Sequence, residues 1–524
     1  MRVGDSGGTR ESERVGTVYL VGAGPGDPGL LTRRGADRLA IADVVVYDHL
    51  ASSRLLDLAR TGTMLLCAGK SVGHCTMSQP EIHQTLIEHA RAGRTVVRLK
   101  GGDPLIFGRG AEEAEALRSA GIPFEIVPGV TAAVGASATS GIPLTHREAA
   151  SAVAFVTGHA NPEDPASTHR LDWPALARFP GTLVVYMGVS HLGAICRTLI
   201  REGMPPETPA AVVESGTTPA QRTMVSTLAE LPRVASESSM RPPALLIVGE
   251  VARMRAALNW FEDRPLFGQR IVVTRPSGES ERSASVLESL GAEVILAPTV
   301  QIGPMEECGP LDDAIDQLSA FDWLVFTSSS GVRFFVKRLD ERGRDLRALG
   351  HLRLAAIGPT TAETLAAYHL RADLVPDEFR SEALAEALAE QAAGARILLA
   401  RADRGRAVLR DELQHVAEVV QVATYRNADI DALPLGVAER IAEGTVDWIT
   451  LTSSAIARRL HGLLPGPARE RIGREVRLAS LSPVTTATVR ELGWEVAVEA
   501  RRYDWPGLVD AIVEKVGAER GSVG

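Results

Sequence analysis

Aromatic side chains are scarce in this chain of 524 residues: Phe, Trp and Tyr make up 4%, although 45% of the residues are hydrophobic. Ala, Val and Leu carry the apolar content, which favours α/β layers over a β-sandwich. Cysteine is equally sparse, at Cys67, Cys75, Cys196 and Cys308. So few cysteines in so large a core-rich chain exclude a disulfide framework. Cys67, His74 and Cys75 fall short of the four ligands of a structural zinc site, so no metal is expected. Basic charge is not in excess, since 56 Lys and Arg face 65 Asp and Glu for a net −9. A nucleic-acid partner, which would need a concentrated basic surface, is therefore not expected. No apolar run approaches the length of a membrane span. Residues 1–14 are polar and mixed in charge, without the apolar core of a signal peptide, and read as a disordered tail. The expectation is a cytoplasmic protein with no membrane partner.

What is present is length and pattern. The chain suits two to four domains, and a mean hydropathy of +0.03 allows sizeable cores. Continuous apolar runs at Val18–Gly22, Val44–Tyr47, 63–66, 95–99, Phe124–Val127, Val153–Thr157, 182–187, 210–213 and Ala244–Val248 alternate with helix-period segments. That alternation predicts mainly parallel strands covered on both faces. Residues 259–268 break the pattern and read as a linker, after which Arg270-Ile-Val-Val-Thr-Arg-Pro opens another α/β unit. The second half contains an internal repeat. Asp322-Trp-Leu-Val-Phe-Thr-Ser-Ser329 recurs as Asp447-Trp-Ile-Thr-Leu-Thr-Ser-Ser454, and Ile357-Gly-Pro-Thr-Thr-Ala362 as Leu481-Ser-Pro-Val-Thr-Thr486, at nearly one offset. Two such lobes are expected, 269–300 with 428–515, and 301–427, followed by a frayed tail from 516 to 524. Ser and Thr at these turns either cap helices or bind a ligand between lobes.

Two glycine-rich strand ends stand out in the first half. Val96-Val-Arg-Leu-Lys-Gly-Gly-Asp-Pro104 runs into Ile106-Phe-Gly-Arg-Gly110, so backbone can approach a ligand beside the Asp103 carboxylate. Gly24, Gly26 and Gly29 formally satisfy the dinucleotide fingerprint, with Asp48 near the ribose-binding distance. Pro25 and Pro28 weigh against an NAD(P)-dependent oxidoreductase, because each removes an N–H that would serve a pyrophosphate.

Val18 to Thr32, Ala42 to Asp48, Gly69-Lys70, Gly101-Gly102-Asp103, Pro128 to Ala132, Gly141 to Arg147 and Tyr186-Met187-Gly188 form an ordered series. This series resembles uroporphyrinogen-III C-methyltransferase, of the tetrapyrrole methylase family, over residues 15–258. The resemblance implies two α/β lobes with S-adenosylmethionine between them, bound by Pro25, Gly101, Gly102, Asp103, Ile106, Thr131, Ala132, Met187 and Gly216. It assigns proton transfer to Asp48 and Lys70, substrate contacts to Arg109, Glu112 and Arg147, and homodimerisation to this half.

Residues 269–515 resemble uroporphyrinogen-III synthase, through Val273-Thr-Arg-Pro276, Thr327 to Gly331, Ala356 to Thr361, Val422-Ala-Thr-Tyr-Arg426, Thr452-Ser-Ser454 and Ser482 to Thr485. Here Ser482 stands where Gly358 has its counterpart. The resemblance implies a two-lobed, duplicated open α/β fold that binds hydroxymethylbilane through Arg275, Thr327, Ser328, Thr361, Ser453 and Thr485. Tyr425 is the candidate acid for the leaving hydroxyl, or else a packed residue at a strand end. The combined expectation is a fused enzyme that makes uroporphyrinogen III and methylates it twice to precorrin-2, for sirohaem or cobalamin. A catalytically silent tetrapyrrole-binding second half stays open as the alternative.

Overall fold

A computed structural model describes residues 15–69, 77–164, 171–276, 280–404 and 407–521. The chain divides into two compact units, Met1–Gln269 with Leu290–Glu293, and Arg270–Ser289 with Val294–Gly524.

In the first unit, β1 (Val18–Gly22), β2 (Val44–Tyr47), β3 (Met64–Cys67), β4 (Val96–Lys100) and β5 (Phe124–Val127) form a parallel sheet in the order β3-β2-β4-β1-β5. The apolar runs cover both faces. Val18, Leu20, Val44, Val46 and Val96 pack on one side, and Val21, Val45, Val97 and Leu99 on the other. Charge enters this core on β4, where Arg98 and Lys100 alternate with Val97 and Leu99 and are themselves buried.

The second sheet contains β6 (Val153–Thr157), β7 (Thr182–Tyr186), β8 (Pro209–Glu214), β9 (Arg222–Thr227) and β10 (Ala244–Val248), in the order β6-β7-β10-β8-β9. It departs from the mainly parallel expectation. Only β6 and β7 run parallel, while β7–β10, β10–β8 and β8–β9 are antiparallel. An apolar run reports burial and not direction, so the sequence carried no sign of this. Strand β9 went unread because Arg-Thr-Met-Val-Ser-Thr lies at the sheet edge, half exposed, without an apolar run.

The second unit holds β11 (Arg270–Val273), β12 (Glu293–Leu296), β13 (Val300–Pro304), β14 (Trp323–Phe326), β15 (Arg353–Ala356), β16 (Arg396–Ala402), β17 (Glu418–Asp429), β18 (Trp448–Leu451), β19 (Arg477–Ser480) and β20 (Val498–Glu499). One lobe has the order β12-β11-β18-β19-β20 and the other β13-β17-β16-β14-β15. The repeated motifs occupy equivalent places in them. Asp322 accepts from the Arg396 amide at the start of its neighbouring strand at 2.8 Å, and Asp447 accepts from the Arg270 amide at 2.8 Å. Trp323 and Trp448 are buried under Arg353 and Arg477, 4.1 and 4.4 Å from ring centre to guanidinium carbon.

Four turns follow the repeated strands with one geometry. Ser328, Gly358, Ser453 and Ser482 are all extended N-caps, and Ser482 (φ −158°, ψ 160°) matches Gly358 (φ −173°, ψ 176°). Any residue adopts that conformation, so the loss of glycine at 482 leaves the turn intact. Residues 259–268, expected as a linker, are packed, with Phe261 and Leu266 buried and Glu262 paired to Arg255 at 2.6 Å. The expected tail from 516 is helical as far as Gly521, because Val516 is buried in the helix Trp505–Gly521.

Candidate functional site

In the first unit the ends of five chain segments meet around the helix Ala132–Ser140, whose small side chains let backbone come close. A Cβ at Gly135 would stand 2.4 Å from Pro25 Cγ, and one at Gly216 would stand 2.7 Å from Ala136 Cβ. Gly102 has φ +67° and pairs with Gly24 through hydrogen bonds of 2.7 and 3.2 Å, which joins the ends of β1 and β4. Asp103 closes the turn, its two oxygens accepting from Leu105 N at 2.8 Å and Gly129 N at 3.0 Å. Thr131 is the helix N-cap but does not cap. Its hydroxyl lies 2.7 Å from Tyr186 Oη, which accepts from Ala133 N at 3.0 Å. Burial raises the Tyr186 phenol above its ordinary pKa, keeping it a donor. Phe107 lies 4.8 Å from the Tyr186 ring, which brings the Ile106 segment to the same place.

Backbone strain gathers here. Phe107, Arg109, Met187, Ser215 and Thr217 all have positive φ, and Ile106, Phe107 and Met187 are exposed apolar side chains. Of the expected cofactor residues, Pro25, Gly102, Ile106, Thr131, Met187 and Gly216 belong to this cluster directly. Gly101 and Ala132 adjoin it in the chain, and Asp103 acts by tying its loops together.

Asp48 ends β2 beside it. Its Oδ1 accepts from Arg98 Nη2 at 2.5 Å, and its side chain is 30% exposed while that of Arg98 is 3%. Arg109 and Glu112 form an exposed pair at 2.6 Å on the first turn of the helix Gly110–Ser119, which lowers the Glu112 pKa. Arg147 is exposed in the loop that His146 and Ala150 close. Lys70, His74 and Cys75 lie outside the described residues. Among the described residues no three His, Cys, Asp or Glu side chains are grouped to hold a metal.

In the second unit, Tyr425 is 6% exposed on β17, 3.0 Å from Ser328 Oγ and stacked on Phe334 at 5.8 Å. Ser328 also accepts from Gly331 N at 3.0 Å, so one hydroxyl caps a helix and holds the phenol. Ser453 does only the first task, accepting from Ile456 N at 3.3 Å. Thr327 is half-buried beside Ser328. Thr361 and Thr485 are 4% and 2% exposed, and Thr485 is bound within its own turn to Ser482 at 3.2 Å. Arg275 donates to Ser283 at 3.1 Å at the end of β11.

The tetrapyrrole (corrin/porphyrin) methylase family matches residues 17–232, and uroporphyrinogen-III synthase HemD matches residues 281–510. The porphyrin biosynthesis protein HemD of Ruminiclostridium josui is 37% identical over 518 residues, 96% of this chain and 97% of its own. The chain belongs to this HemD family of porphyrin biosynthesis proteins. It joins a methylase half to a synthase half. The siroheme synthase of Nitrosomonas eutropha is 50% identical over 247 residues, 47% of this chain and 51% of its own length, so about half of that protein has no counterpart in the match. A crystal structure of the uroporphyrin-III C-methyl transferase of Thermus thermophilus with S-adenyl homocysteine is 45% identical. It covers 45% of this chain and 99% of its own, with a TM-score of 0.39.

In this HemD-type chain the sequence reading missed Arg98, Tyr186 and Arg401 as site residues. Arg98 and Tyr186 lay inside recognised motifs but looked like strand residues. Arg401 had a clearer signal. Arg396-Ile-Leu-Leu-Ala-Arg401 on β16 repeats Arg270-Ile-Val-Val-Thr-Arg275 on β11, and both strands lie beside the Asp-Trp strand of their lobe. Arg401 is thus the counterpart of Arg275, 8% exposed, in electrostatic contact with Tyr425, and with its pKa lowered by burial.

Proposed function

We propose that the chain is a bifunctional enzyme of tetrapyrrole biosynthesis. Residues 269–515 cyclise hydroxymethylbilane to uroporphyrinogen III, and residues 15–258 methylate that product at C2 and C7 to precorrin-2, feeding sirohaem or cobalamin. The observation that carries the reading is the meeting of five strained or glycine-rich segments on one helix, beside a carboxylate half-open to solvent.

The cluster suits S-adenosylmethionine. Its surface is backbone and apolar side chain, and the oxygens of Asp103 are taken up by peptide N–H groups, which leaves a shaped cradle for a flat nucleoside. When bound, that cofactor supplies a methyl group to a carbon nucleophile held in line with it. Asp48 takes the proton that the methylated pyrrole carbon framework must lose, while Arg98 fixes its other edge. Such positioned proton transfer contributes about 10² to 10⁴ in rate. Lys70 shares in this proton transfer, the role that the family resemblance implies. Arg109, oriented by Glu112, and Arg147 receive substrate carboxylates, for which the guanidinium fork is suited.

In the synthase half, Tyr425 donates to the departing hydroxyl, which leaves as water as the C–O bond breaks. Ser328 fixes the phenol, and Arg275 and Arg401 at equivalent strand ends meet substrate carboxylates. The test is anaerobic incubation of purified protein with hydroxymethylbilane, with and without S-adenosylmethionine, and identification of products by mass and isomer. Uroporphyrinogen III without the cofactor and a dimethylated product with it are expected. Only the type I isomer would make the second half a silent binding module. A type III product that gains no methyl group would overturn the methylase assignment.

A further inference from the structure

Beneath the open face of Asp48 lies a buried group of charges that the steps above leave unused. Arg98 and Lys100, on the same face of β4, both donate to one oxygen of Glu113. The distances are 3.2 Å from Arg98 Nε and 2.7 Å from Lys100 Nζ, and the side chains are 3%, 3% and 0% exposed. Gln79 Nε2, from the helix Gln79–Arg91, donates to the same oxygen at 3.1 Å and lies 3.1 Å from His83 Nε2. The other oxygen of Glu113 is buried and has no hydrogen-bond partner. Arg98 is fully occupied: Nη1 reaches the carbonyls of Val46 and Leu99, each at 3.4 Å, and Nη2 holds Asp48.

Such a group is expensive. Each buried ion forfeits hydration, and apolar residues of the same volume commonly serve stability as well or better. Burial and the adjacent Arg98 push the Lys100 ammonium below its ordinary pKa, against the opposing carboxylates of Glu113 and, more weakly, Asp48. A buried carboxylate with one crowded and one orphaned oxygen is thus poorly explained as a fold stabiliser. Its geometry fits another task. Arg98 is a rigid fork whose Nε and Nη2 bridge two carboxylates, so fixing one end fixes the other.

We propose that Glu113 is a positioning residue for methyl transfer: from the buried side of the helix Gly110–Ser119 it locks the Arg98 fork in the orientation that grips Asp48 and leaves the other Asp48 oxygen open. This rests on the role given to Asp48 above. Glu113 touches neither substrate nor cofactor.

A double-mutant cycle separates positioning from support of the fold. Glu113→Gln should lower kcat for methyl transfer at least tenfold, with S-adenosylhomocysteine affinity unchanged within twofold. In an Asp48→Asn background the same change should alter kcat less than twofold. An additive cycle overturns the inference. A second readout does not depend on turnover. Carbodiimide labelling of Asp48, followed by peptide mass spectrometry, should rise at least threefold in Glu113→Gln because the guanidinium no longer shields Oδ1, and unchanged labelling also overturns it. Should the loss of the carboxylate beside Lys100 prevent Glu113→Gln from folding, Lys100→Met/Glu113→Leu removes one charge of each sign and carries the same expectations. A wild-type chain that transfers no methyl group would sink the proposed methylase function, while the labelling would still decide whether Glu113 governs Asp48.

Discussion

The two lobes of the synthase half begin from one motif and end with different equipment. Asp322 and Asp447 bind the first amide of the adjacent strand, Trp323 and Trp448 lie under an arginine, and Ser329 and Ser454 reach the carbonyls of Thr360 and Val484. Those shared contacts build the lobe. Only Ser328 bonds to a tyrosine, because the long strand β17 delivers Tyr425 to its lobe alone, whereas Ser453 spends its hydroxyl on capping. Duplication therefore preserved the scaffold residues and left the candidate acid in one copy. A repeat in sequence marks what both copies need, and the group that does chemistry need not repeat.

Substitutions can break this comparison, and the largest effect is expected at the unrepeated residue. Tyr425→Phe should slow ring closure on the order of 10²-fold, the lower range for loss of a proton-transfer group, and leave methylation of supplied uroporphyrinogen III unchanged. A normal cyclisation rate would return Tyr425 to packing and make the lobes equivalent. Asp103→Ala sharpens the contrast between halves. It frees the Leu105 and Gly129 amides, so S-adenosylhomocysteine should bind roughly tenfold more weakly, about 1.4 kcal/mol and so near the low end for a hydrogen bond to a charged group, with cyclisation unaffected. Equal affinity in calorimetry would remove Asp103 from the cradle.

Within the repeat, Asp447→Ala should destabilise the second unit by about 1–3 kcal/mol in urea unfolding. Asp322→Ala should cost less, because Asp447 also binds the Arg270 guanidinium at 2.9 and 3.0 Å. The reverse order would contradict the assignment of shared scaffold roles. Ser453→Ala should have the smallest effect, about 1 kcal/mol for a lost N-cap, without change in cyclisation rate. A slower cyclisation would show that the second lobe has chemistry of its own.

Much of the site was legible because its residues sit in local motifs. Gly102, Asp103 and Pro25 are demanded by tight turns at strand ends, and a turn leaves its signature within a few residues. Thr361 and Thr485 sit in such turns as well, where a hydroxyl that lies within a capping turn and one that faces a ligand have the same neighbours in sequence. Arg98 was hidden by its strand. A charged residue at an inward position reads as an interruption until Glu113 and Asp48 are brought to it from other elements.

By itself, then, the sequence determined the α/β layers, the repeat and the turns that carry the candidate chemistry, because apolar periodicity and turn residues act over short stretches of chain. The tertiary structure alone decided strand direction in the sheet of β6 to β10, which serine meets Tyr425, and how two buried cations and two carboxylates are joined. Each of those depends on hydrogen bonds or ion pairs between residues far apart in the chain, and no local pattern encodes such a pairing.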